Sequence, residues 1–273
     1  MKRTIRLIAI DLDGTLLNTQ QEIAPITRAA LQRAVEAGIG VILVTGRDAL
    51  GSETVLDILG MDLPYICCAG ALIRSGKNGK LISARPFHNP AELNKVIAYV
   101  GHKDAGMVAD LPDGMMRWFG PDGLIQRLDP LTAKTARGSI RTFSPERDFD
   151  QPILKMSLAG SLDFLESIAS DVLDGLETID HAYAGLHYVD LTARGVHKGS
   201  ALEIFAGYAG VPSTDIAAIG DQPIDLAMFS YSGLSIAMGN APEAVKKHAD
   251  WIAPSNEEDG VAHTILRILD ERT

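Results

Sequence analysis

Two aspartates, Asp11 and Asp13, stand at the end of the first apolar run of the chain, in the stretch IAIDLDGTLLN. Like charges this close repel each other and both need solvation, so a buried strand normally avoids ending in such a pair. A bound Mg²⁺ ion would remove the repulsion, because clustered carboxylate oxygens are the ligands that it prefers, and it could also bind phosphate. Asp11 could then attack phosphorus to give an aspartyl-phosphate, while Asp13 could protonate the leaving oxygen and later deprotonate water.

Later apolar runs end in residues that suit the same chemistry. The second run ends in VTGR and the fourth in GDQPID, and a lysine stands just before a later helix. Ligands bind at the carboxyl ends of the strands in an open parallel sheet, so these residues are expected to meet at one edge. Phosphoryl transfer needs the charge on the equatorial oxygens neutralised, which a lysine beside a hydroxyl group could do. The further candidates are Thr45, Gly46, Arg47 and Lys198 for phosphate, and Asp221 and Asp225 for metal.

The segments that carry these candidates alternate between strand-like and helix-like patterns. Short apolar runs such as IRLIAI, GVILVTG and PYICCAGALI suit strands covered on both faces, and amphipathic segments such as APITRAALQRAVEAGI lie between them. Short connections between strands and helices predict a parallel sheet with right-handed crossovers. The same alternation resumes from Gly195, with DIAAIG and LSIAMG as strands, and GALIRSGKNGKLIS predicts a hairpin.

The middle of the chain has a different pattern and predicts a second domain. Helices are expected in PAELNKVIAYVGH and SLDFLESIASDVL, and hairpins in GMVADLPDGMMRWF and LETIDHAYAGLHYVDLT. Further strands are expected in RGSIRTF and PILKMSLAG. Hairpins mixed with two helices are typical of an α+β domain inserted into an α/β one. The predicted core therefore comprises residues 1–84 and 188–273, and the inserted domain comprises residues 85–187.

The composition is that of an ordinary soluble protein. The chain has 273 residues, of which 46% are hydrophobic and 22% charged, and its formal net charge is −10. That charge argues against a nucleic-acid or anionic-membrane surface, although a local cation cluster could still receive a small anion. No apolar run reaches the roughly 18 residues that a membrane span needs, and the first run is too short for a signal segment. We therefore expect a soluble, cytoplasmic protein that acts on a small molecule.

Four stretches in this order and spacing, DLDGTLLN, VTGR, GVHKGSAL and GDQPIDLAM, resemble the four motifs of the haloacid dehalogenase superfamily. The insertion between VTGR and HKG, together with the later stretch AMGNAPEAVKKHADWIAPSNEEDGVA, resembles the Cof-type sugar-phosphatase branch. The resemblance covers essentially the whole core, and the inserted domain by its position and hairpin pattern only. It implies a Rossmann-like core and a mobile cap that closes over the phosphate and excludes water.

The resemblance also implies a role for each motif residue. Asp11 becomes the nucleophile and a Mg²⁺ ligand, and Asp13 becomes the general acid and base, whose backbone carbonyl also binds the metal. Thr45 would bond the phosphoryl group, with Gly46 and Arg47 beside it. Lys198 would pair with the phosphoryl group and steady the nucleophile.

The last motif would complete the metal site but departs from the family pattern. Asp221 would bind Mg²⁺ directly, and Asp225 would do so through water or as a partner of the other ligands. Ile224 stands where the usual Gly-Asp-x-x-Asn-Asp has its asparagine, and Ala69 replaces the asparagine of the usual Asn-Gly-Ala after the third strand. Each change removes an amide near the site, so we expect weakened or altered catalysis with the principal residues kept.

Several neighbouring residues have a structural reading as well as a functional one. Arg47 could contact the substrate or pair with a core carboxylate, and both readings stay open. Asn240 is interpreted as a helix N-cap rather than a substrate contact, and His197 as a surface residue. The adjacent Cys67 and Cys68 are interpreted as thiols inside a strand, because strand neighbours point to opposite faces and disfavour a disulfide. Free thiols suit a reducing cytoplasm.

Three functions are compatible with such a site. The leading one is a Mg²⁺-dependent phosphatase that hydrolyses a small phosphorylated metabolite, such as a sugar phosphate. A phosphotransferase such as a phosphomutase could use the same aspartyl-phosphate, given a cap that shields it from water. A phosphometabolite-binding protein with weak activity would result if the departures at Ala69 and Ile224 suppress turnover. No pattern in the sequence indicates which substrate is used or how many copies of the chain associate.

Overall fold

The computed structural model describes residues 4–101, 103–112, 116–121, 140–142, 152–184 and 187–272. The strands are β1 Leu7–Ile10, β2 Gly40–Val44, β3 Tyr65–Cys67, β4 Leu72–Arg74, β5 Leu81–Ala84, β6 Gly106–Asp110, β7 Met116–Phe119, β8 Ile140–Thr142, β9 Lys155–Ala159, β10 Ile179–Tyr183, β11 Tyr188–Ala193, β12 Ile216–Gly220, β13 Leu234–Ala237 and β14 Trp251–Ile252. The α-helices are α1 Pro25–Glu36, α2 Ala49–Leu59, α3 Pro90–Val100, α4 Leu162–Asp171, α5 Lys198–Ala209, α6 Leu226–Tyr231, α7 Glu243–Lys246 and α8 Gly260–Arg272. Within these ranges, no helix combines the length and the apolar character needed to cross a membrane.

The chain divides into two compact units. The first unit comprises Met1–Arg47, Gly51–Ser83 and His197–Thr273, and the second comprises Asp48–Leu50 and Ala84–Val196. Most of the second unit is therefore one continuous insertion between two long segments of the first.

The first unit is built on an eight-stranded sheet in the order β14-β13-β12-β1-β2-β3-β4-β5. The strands from β14 to β3 run parallel, and β4 runs antiparallel to β3. All four residues of β1 are buried, as expected for a central strand covered on both faces. Ile10 lies opposite Ile219 of β12 and Leu43 of β2, so the residues that follow these three strands emerge side by side.

The second unit is built on a six-stranded sheet in the order β10-β11-β9-β6-β7-β8, in which all pairs are antiparallel except β7 with β8. Alternate residues of its central strands point to one face, where they form a hydrophobic cluster with α3 and α4. Met107, Met156 and Val189 are examples of these buried sheet residues. The predicted fold class, an α/β parallel-sheet core with an inserted α+β domain, is confirmed.

Most predicted elements are present, and two details differ. PYICCAGALI was expected to be one strand, but the chain turns at Cys68–Gly70, and β4 returns antiparallel to β3. The predicted return to the core at residue 188 falls at the start of β11, which pairs with β9 and β10 in the second sheet. Hydrogen bonding across three strands therefore keeps this segment in the second unit up to Val196. The predicted turn at residues 113–114 lies outside the described residues.

Candidate active site

Asp11 lies buried at the end of β1, where its backbone N–H donates to the carbonyl of Ile219 on β12. Its carboxylate Oδ1 accepts a hydrogen bond of 2.6 Å from Nζ of Lys198. Burial raises the pKa of Asp11 to about 8, although the charge of Lys198 opposes the rise. The nearby carboxylates of Asp225 and Asp221 raise this pKa further, so a cation would favour the ionised form of Asp11.

Lys198 is the first residue of α5 and is only 3% exposed. The helix start is capped by His197, whose Nδ1 accepts from the backbone N–H of Ser200 while the Ser200 hydroxyl accepts from the backbone N–H of His197. Nζ of Lys198 binds Asp11 and Asp225, at 2.6 Å each. Burial alone would lower the pKa of Lys198, but the two carboxylates outweigh it and raise the pKa above its usual range. Lys198 is therefore a fixed positive charge beside Asp11.

Asp225 is fully buried and anchors the loop after β12. One carboxylate oxygen accepts from Lys198, and the other accepts from the backbone N–H groups of Asp221, at 3.0 Å, and Gln222, at 2.9 Å. The four-residue spacing seen in GDQPID is the spacing that lets the carboxylate close this loop. Asp225 thus holds both Lys198 and the loop that carries Asp221.

Asp221 follows β12 and has both carboxylate oxygens held by neighbouring side chains. The hydroxyl of Thr15 donates to Oδ1 at 2.9 Å, and Nε2 of Gln222 donates to Oδ2 at 2.8 Å. Burial raises the pKa of Asp221 above its ordinary value. Gly14 passes close by with φ +79°, and a Cβ there would lie 2.5 Å from Oδ2 of Asp221, so only glycine fits this approach.

The acidic residues at this edge could hold a metal ion. Asp11, Asp221 and Asp225 each offer a carboxylate oxygen, and these three atoms lie within 4.8 Å of one another. All three residues are buried, and Lys198 neutralises only part of their charge. An all-oxygen set with excess negative charge fits a hard divalent cation. Asp225 already accepts three hydrogen bonds, one of them from the Lys198 ammonium, whereas Asp221 accepts two and Asp11 accepts one, so Asp11 and Asp221 are the better candidates for direct ligands.

Asp13 makes a two-point ion pair with Arg47, the residue that ends VTGR. Nε of Arg47 donates to Oδ2 of Asp13 at 2.8 Å, and Nη2 donates to Oδ1. The same Nη2 also donates to Oε1 of Gln21. Of the two readings left open for Arg47, the structure therefore shows the pairing with a core carboxylate.

Thr45 is buried after β2, and its hydroxyl oxygen accepts the backbone N–H of Arg47 at 3.1 Å. The hydroxyl keeps its own proton for another acceptor, because accepting a hydrogen bond does not use it. Gly46 lies between these two residues, and a Cβ there would meet nothing within 4 Å, so crowding is not the reason for glycine. Since β2 neighbours β1, Thr45 emerges beside Asp11 at the same edge of the sheet.

Three neighbouring residues have positions that sequence reasoning did not predict. The N-cap interpretation of Asn240 is wrong: Pro242 occupies that position, and Asn240 Nδ2 instead donates to the carbonyl of Gly14 at 2.8 Å. His197 is exposed as expected but also caps α5. Gln222 touches the carboxylate of Asp221. Gln222 occupies an unspecified position of the motif, so the motif gives no signal for its contact with Asp221.

Cys68 does not continue the strand that contains Cys67. It adopts φ +50°, Ala69 follows with φ +54°, and the two sulfur atoms lie 3.9 Å apart instead of on opposite faces. Both thiols are buried and free. The backbone N–H groups of Cys68 and Ala69 donate to the carbonyls of Arg47 and Thr45, so this turn supports the VTGR segment.

Comparisons with known proteins extend over both units. A family model described as haloacid dehalogenase-like hydrolase matches residues 8–265. The 5-amino-6-(5-phospho-D-ribitylamino)uracil phosphatase YwtE of Bacillus subtilis is 31% identical, over 97% of this chain and 98% of that protein. Pyridoxal phosphate phosphatase YbhA of Escherichia coli is 29% identical, over 97% and 99%. The crystal structure of a haloacid dehalogenase-like hydrolase from Bacteroides thetaiotaomicron superposes with a TM-score of 0.86 at 26% identity, covering 97% of this chain and 100% of that one.

Proposed function

We propose that this chain, which belongs to the haloacid dehalogenase-like hydrolase family, hydrolyses small phosphate monoesters with Mg²⁺ through a phosphorylated Asp11. The family prediction made from the four motifs is confirmed by the match over residues 8–265. The single observation that carries the proposed mechanism is the buried Asp11–Lys198 pair beside Asp221 at the carboxyl edge of the sheet. Support also comes from relatives that are named phosphatases, with which this chain aligns over nearly its whole length.

The first step forms a bond between a carboxylate oxygen of Asp11 and phosphorus and breaks the bond from phosphorus to the ester oxygen. Lys198 binds Oδ1, and among the described residues no hydrogen bond reaches Oδ2, so Oδ2 is the oxygen left to attack. Mg²⁺ held by Asp11 and Asp221 would supply positive charge that offsets the negative charge of the carboxylates and the phosphate oxygens. Lys198 adds a second positive charge that needs no reorganisation during the reaction.

Proton transfers are assigned to Asp13. Its protonated carboxyl gives a proton to the leaving ester oxygen, and the resulting carboxylate takes a proton from the water that attacks phosphorus. That attack releases inorganic phosphate and returns Asp11 and Asp13 to their starting forms. The side chain of Asp13 is half exposed and so reachable, and it has to leave its ion pair with Arg47 before its carboxyl can carry the proton. The hydroxyl of Thr45 donates to a phosphoryl oxygen.

The substrate class in this proposal is a small phosphorylated metabolite, with a sugar phosphate as the leading example. The net charge of −10 disfavours polyanions, whereas the local cations Lys198 and Arg47 suit a single phosphate group. The proposal gives the second unit the role of the cap that the family resemblance implies. It also places the protein in the cytoplasm, with its two buried thiols reduced.

The decisive experiment measures hydrolysis of an aryl phosphate and a panel of sugar phosphates by the purified chain, with and without Mg²⁺. We expect turnover only with Mg²⁺ and a loss of at least about a thousandfold in Asp11→Asn. Asp163→Asn, at an exposed position in the first turn of α4, is the matched control and should retain full activity.

Three outcomes would count against the proposal. Undiminished Mg²⁺-dependent turnover in Asp11→Asn would show that Asp11 is not the nucleophile. Phosphate passed to an added sugar acceptor instead of water would indicate a phosphotransferase. Tight ligand binding with background turnover across the whole panel would indicate a binding protein.

A further inference from the structure

Gln222 is the residue directly after Asp221, and its side-chain amide binds the Asp221 carboxylate. Nε2 donates to Oδ2 of Asp221 at 2.8 Å, and the backbone carbonyl of Gln222 accepts the backbone N–H of Asp225 at 2.9 Å. The backbone N–H of Gln222 in turn donates to the carboxylate of Asp225. Gln222 therefore contacts both acidic residues after the fourth core strand, Asp221 through its side chain and Asp225 through its backbone.

The position of this amide matters because residue 224 of the same loop has none. Ile224 stands two residues later, where the family pattern has asparagine, and an isoleucine side chain can donate no hydrogen bond. Each oxygen of the Asp221 carboxylate accepts one hydrogen bond, from Thr15 and from Gln222 respectively. A carboxylate has about four lone-pair sites, so capacity for a cation remains on either oxygen.

We propose that Gln222 is a positioning residue for the divalent cation and supplies the amide that Ile224 cannot. Its hydrogen bond and that of Thr15 hold the Asp221 carboxylate from both sides, which stops it from rotating away from the metal position. Partners behind a metal ligand typically change metal affinity by about 10-fold to 100-fold when they are removed. This inference rests on the proposed function, since it concerns the same metal site.

A purely structural role for Gln222 makes a different prediction. If the amide only stabilised the turn Pro223–Asp225, its loss would lower stability without any selective effect on metal binding. Gln222→Met removes the amide at nearly constant length, and Gln222→Ser removes it with a side chain too short to reach the Asp221 carboxylate. Both variants keep the backbone hydrogen bonds of residue 222 to Asp225.

The experiment measures Mg²⁺ binding to the full chain by calorimetry and the thermal unfolding of the metal-free protein. We expect Gln222→Ser and Gln222→Met to bind Mg²⁺ about tenfold more weakly than the wild type. The metal-free melting temperature should be close to the wild-type value in both variants, because the backbone hydrogen bonds to Asp225 remain. Gln32→Met, at an exposed position of α1, is the matched control and should bind Mg²⁺ as the wild type does.

Activity provides a second readout for positioning. The Mg²⁺ concentration that gives half-maximal turnover should rise about tenfold in Gln222→Ser, while the maximal turnover at saturating Mg²⁺ stays near that of the wild type. Restoring an amide with Ile224→Asn in the Gln222→Ser background should recover most of the lost affinity. If the double variant binds Mg²⁺ as weakly as Gln222→Ser does, the inference that the Gln222 amide replaces one at position 224 is overturned.

The failures of the two proposals are distinguishable. If the wild type binds no Mg²⁺, the proposed function is wrong at its metal site. If the wild type binds Mg²⁺ and Gln222→Ser binds it equally well, the positioning role is overturned while the proposed function stands.

Discussion

A single buried ammonium group, that of Lys198, faces more negative charge than it can neutralise. Its Nζ pairs with Asp11 and Asp225, and a carboxylate oxygen of Asp221 lies within 4.8 Å of an oxygen of each of them. Desolvated like charges disfavour ionisation, which is why the pKa of Asp11 rises to about 8. These residues, which suit phosphoryl transfer, therefore lower the free energy of unfolding of the metal-free protein, as is common at functional sites.

The substitution Lys198→Met tests how far this charge holds the site together. It leaves the carboxylates of Asp11 and Asp225 buried without their cation, and breaking a buried pair costs about 3–5 kcal/mol of unfolding free energy. Urea denaturation should show this loss, and phosphatase turnover should fall by at least about a hundredfold because the charge beside Asp11, the proposed nucleophile, is gone. Lys246→Met is the control, since Lys246 pairs with the exposed Glu243, and it should change stability by less than about 0.5 kcal/mol. Wild-type turnover in Lys198→Met would contradict the assigned role.

Gly14 and Gly38 allow conformational strain to be separated from crowding at the site. Both have a left-handed φ, +79° and +76°, which costs an alanine about 1–2 kcal/mol. A Cβ at Gly38 meets nothing within 4 Å, whereas one at Gly14 would collide with the Asp221 carboxylate. We expect Gly14→Ala to lose more stability than Gly38→Ala, because the collision adds to the strain, and only Gly14→Ala to lose Mg²⁺ affinity, by at least about tenfold. Calorimetry with Mg²⁺ checks this, and equal affinities in the two variants would contradict it.

At the scale of elements, the turn after β3 is a feature that the hydrophobic pattern does not predict. PYICCAGALI is apolar enough to predict one strand, yet Cys68 and Ala69 both adopt the left-handed conformation and reverse the chain. The backbone N–H of Cys68 donates to the carbonyl of Arg47, and that of Ala69 to the carbonyl of Thr45, so the turn is held by neighbours distant in sequence. Hydrophobic periodicity carries no information about such bonds. Asparagine or glycine at position 69 would have indicated a turn, but alanine is uncommon in this left-handed conformation and gives no such signal.

The substitution Ala69→Gly tests whether this turn stores strain. Glycine adopts φ +54° without a Cβ clash, so the free energy of unfolding should stay unchanged or rise by up to about 1 kcal/mol. The same substitution in ordinary helix should act in the opposite direction. Ala98→Gly, at an exposed position inside α3, should lower stability by about 1 kcal/mol. Urea denaturation measures both, and a comparable loss in Ala69→Gly would argue against strain.

The sheet of the second unit carries a buried charged cluster on the face opposite its hydrophobic cluster. Asp110 on β6 lies opposite Lys155 on β9, with their charged atoms 3.4 Å apart, and Asp190 on β11 lies 3.6 Å from the same ammonium. The hydroxyl of Ser157 donates to Asp190 at 2.5 Å. Burial raises the pKa of Asp110 to about 6, against the attraction of Lys155 and with added repulsion from Asp48 and Asp190. One lysine thus again faces more than one carboxylate.

This raised pKa predicts a pH-dependent stability. In the unfolded chain Asp110 ionises near its ordinary pKa of about 4, so between pH 4 and pH 6 the unfolded state has lost a proton that the folded state keeps. The free energy of unfolding should therefore fall as the pH rises through that window. Asp110→Asn removes this term and leaves the Lys155–Asp190 pair, so relative to the wild type it should gain up to about 3 kcal/mol from pH 4 to pH 6. Denaturation at several pH values measures the difference, and a difference that does not vary with pH would contradict the prediction.

At the scale of the whole molecule, short-range patterns revealed the strands and the motif residues, whereas the contacts between distant motifs needed the fold. The period of the apolar residues predicted β1, β2 and β12, and their parallel order implied a common edge. The bond from Thr15 to Asp221 spans 206 positions, and that from Asn240 to Gly14 spans 226. Which partner a polar side chain chooses depends on its spatial neighbours and not on its position in a motif. The true contacts of Arg47 were for that reason undecided from the sequence.

Because the candidate ligands come from both ends of the chain, a bound cation should stabilise the fold of the whole first unit. A ligand that binds only the folded state at one hundred times its dissociation constant adds about 2.7 kcal/mol, which in a chain of this size is several degrees of melting temperature. Asp221→Asn should abolish this gain. It should nevertheless be at least as stable as the wild type without metal, because it removes one carboxylate from a cluster that holds excess negative charge. The order of the two melting temperatures should therefore reverse when Mg²⁺ is added. Equal stabilisation of both proteins by Mg²⁺ would mean that the ion binds somewhere other than the edge where Asp11 and Asp221 meet.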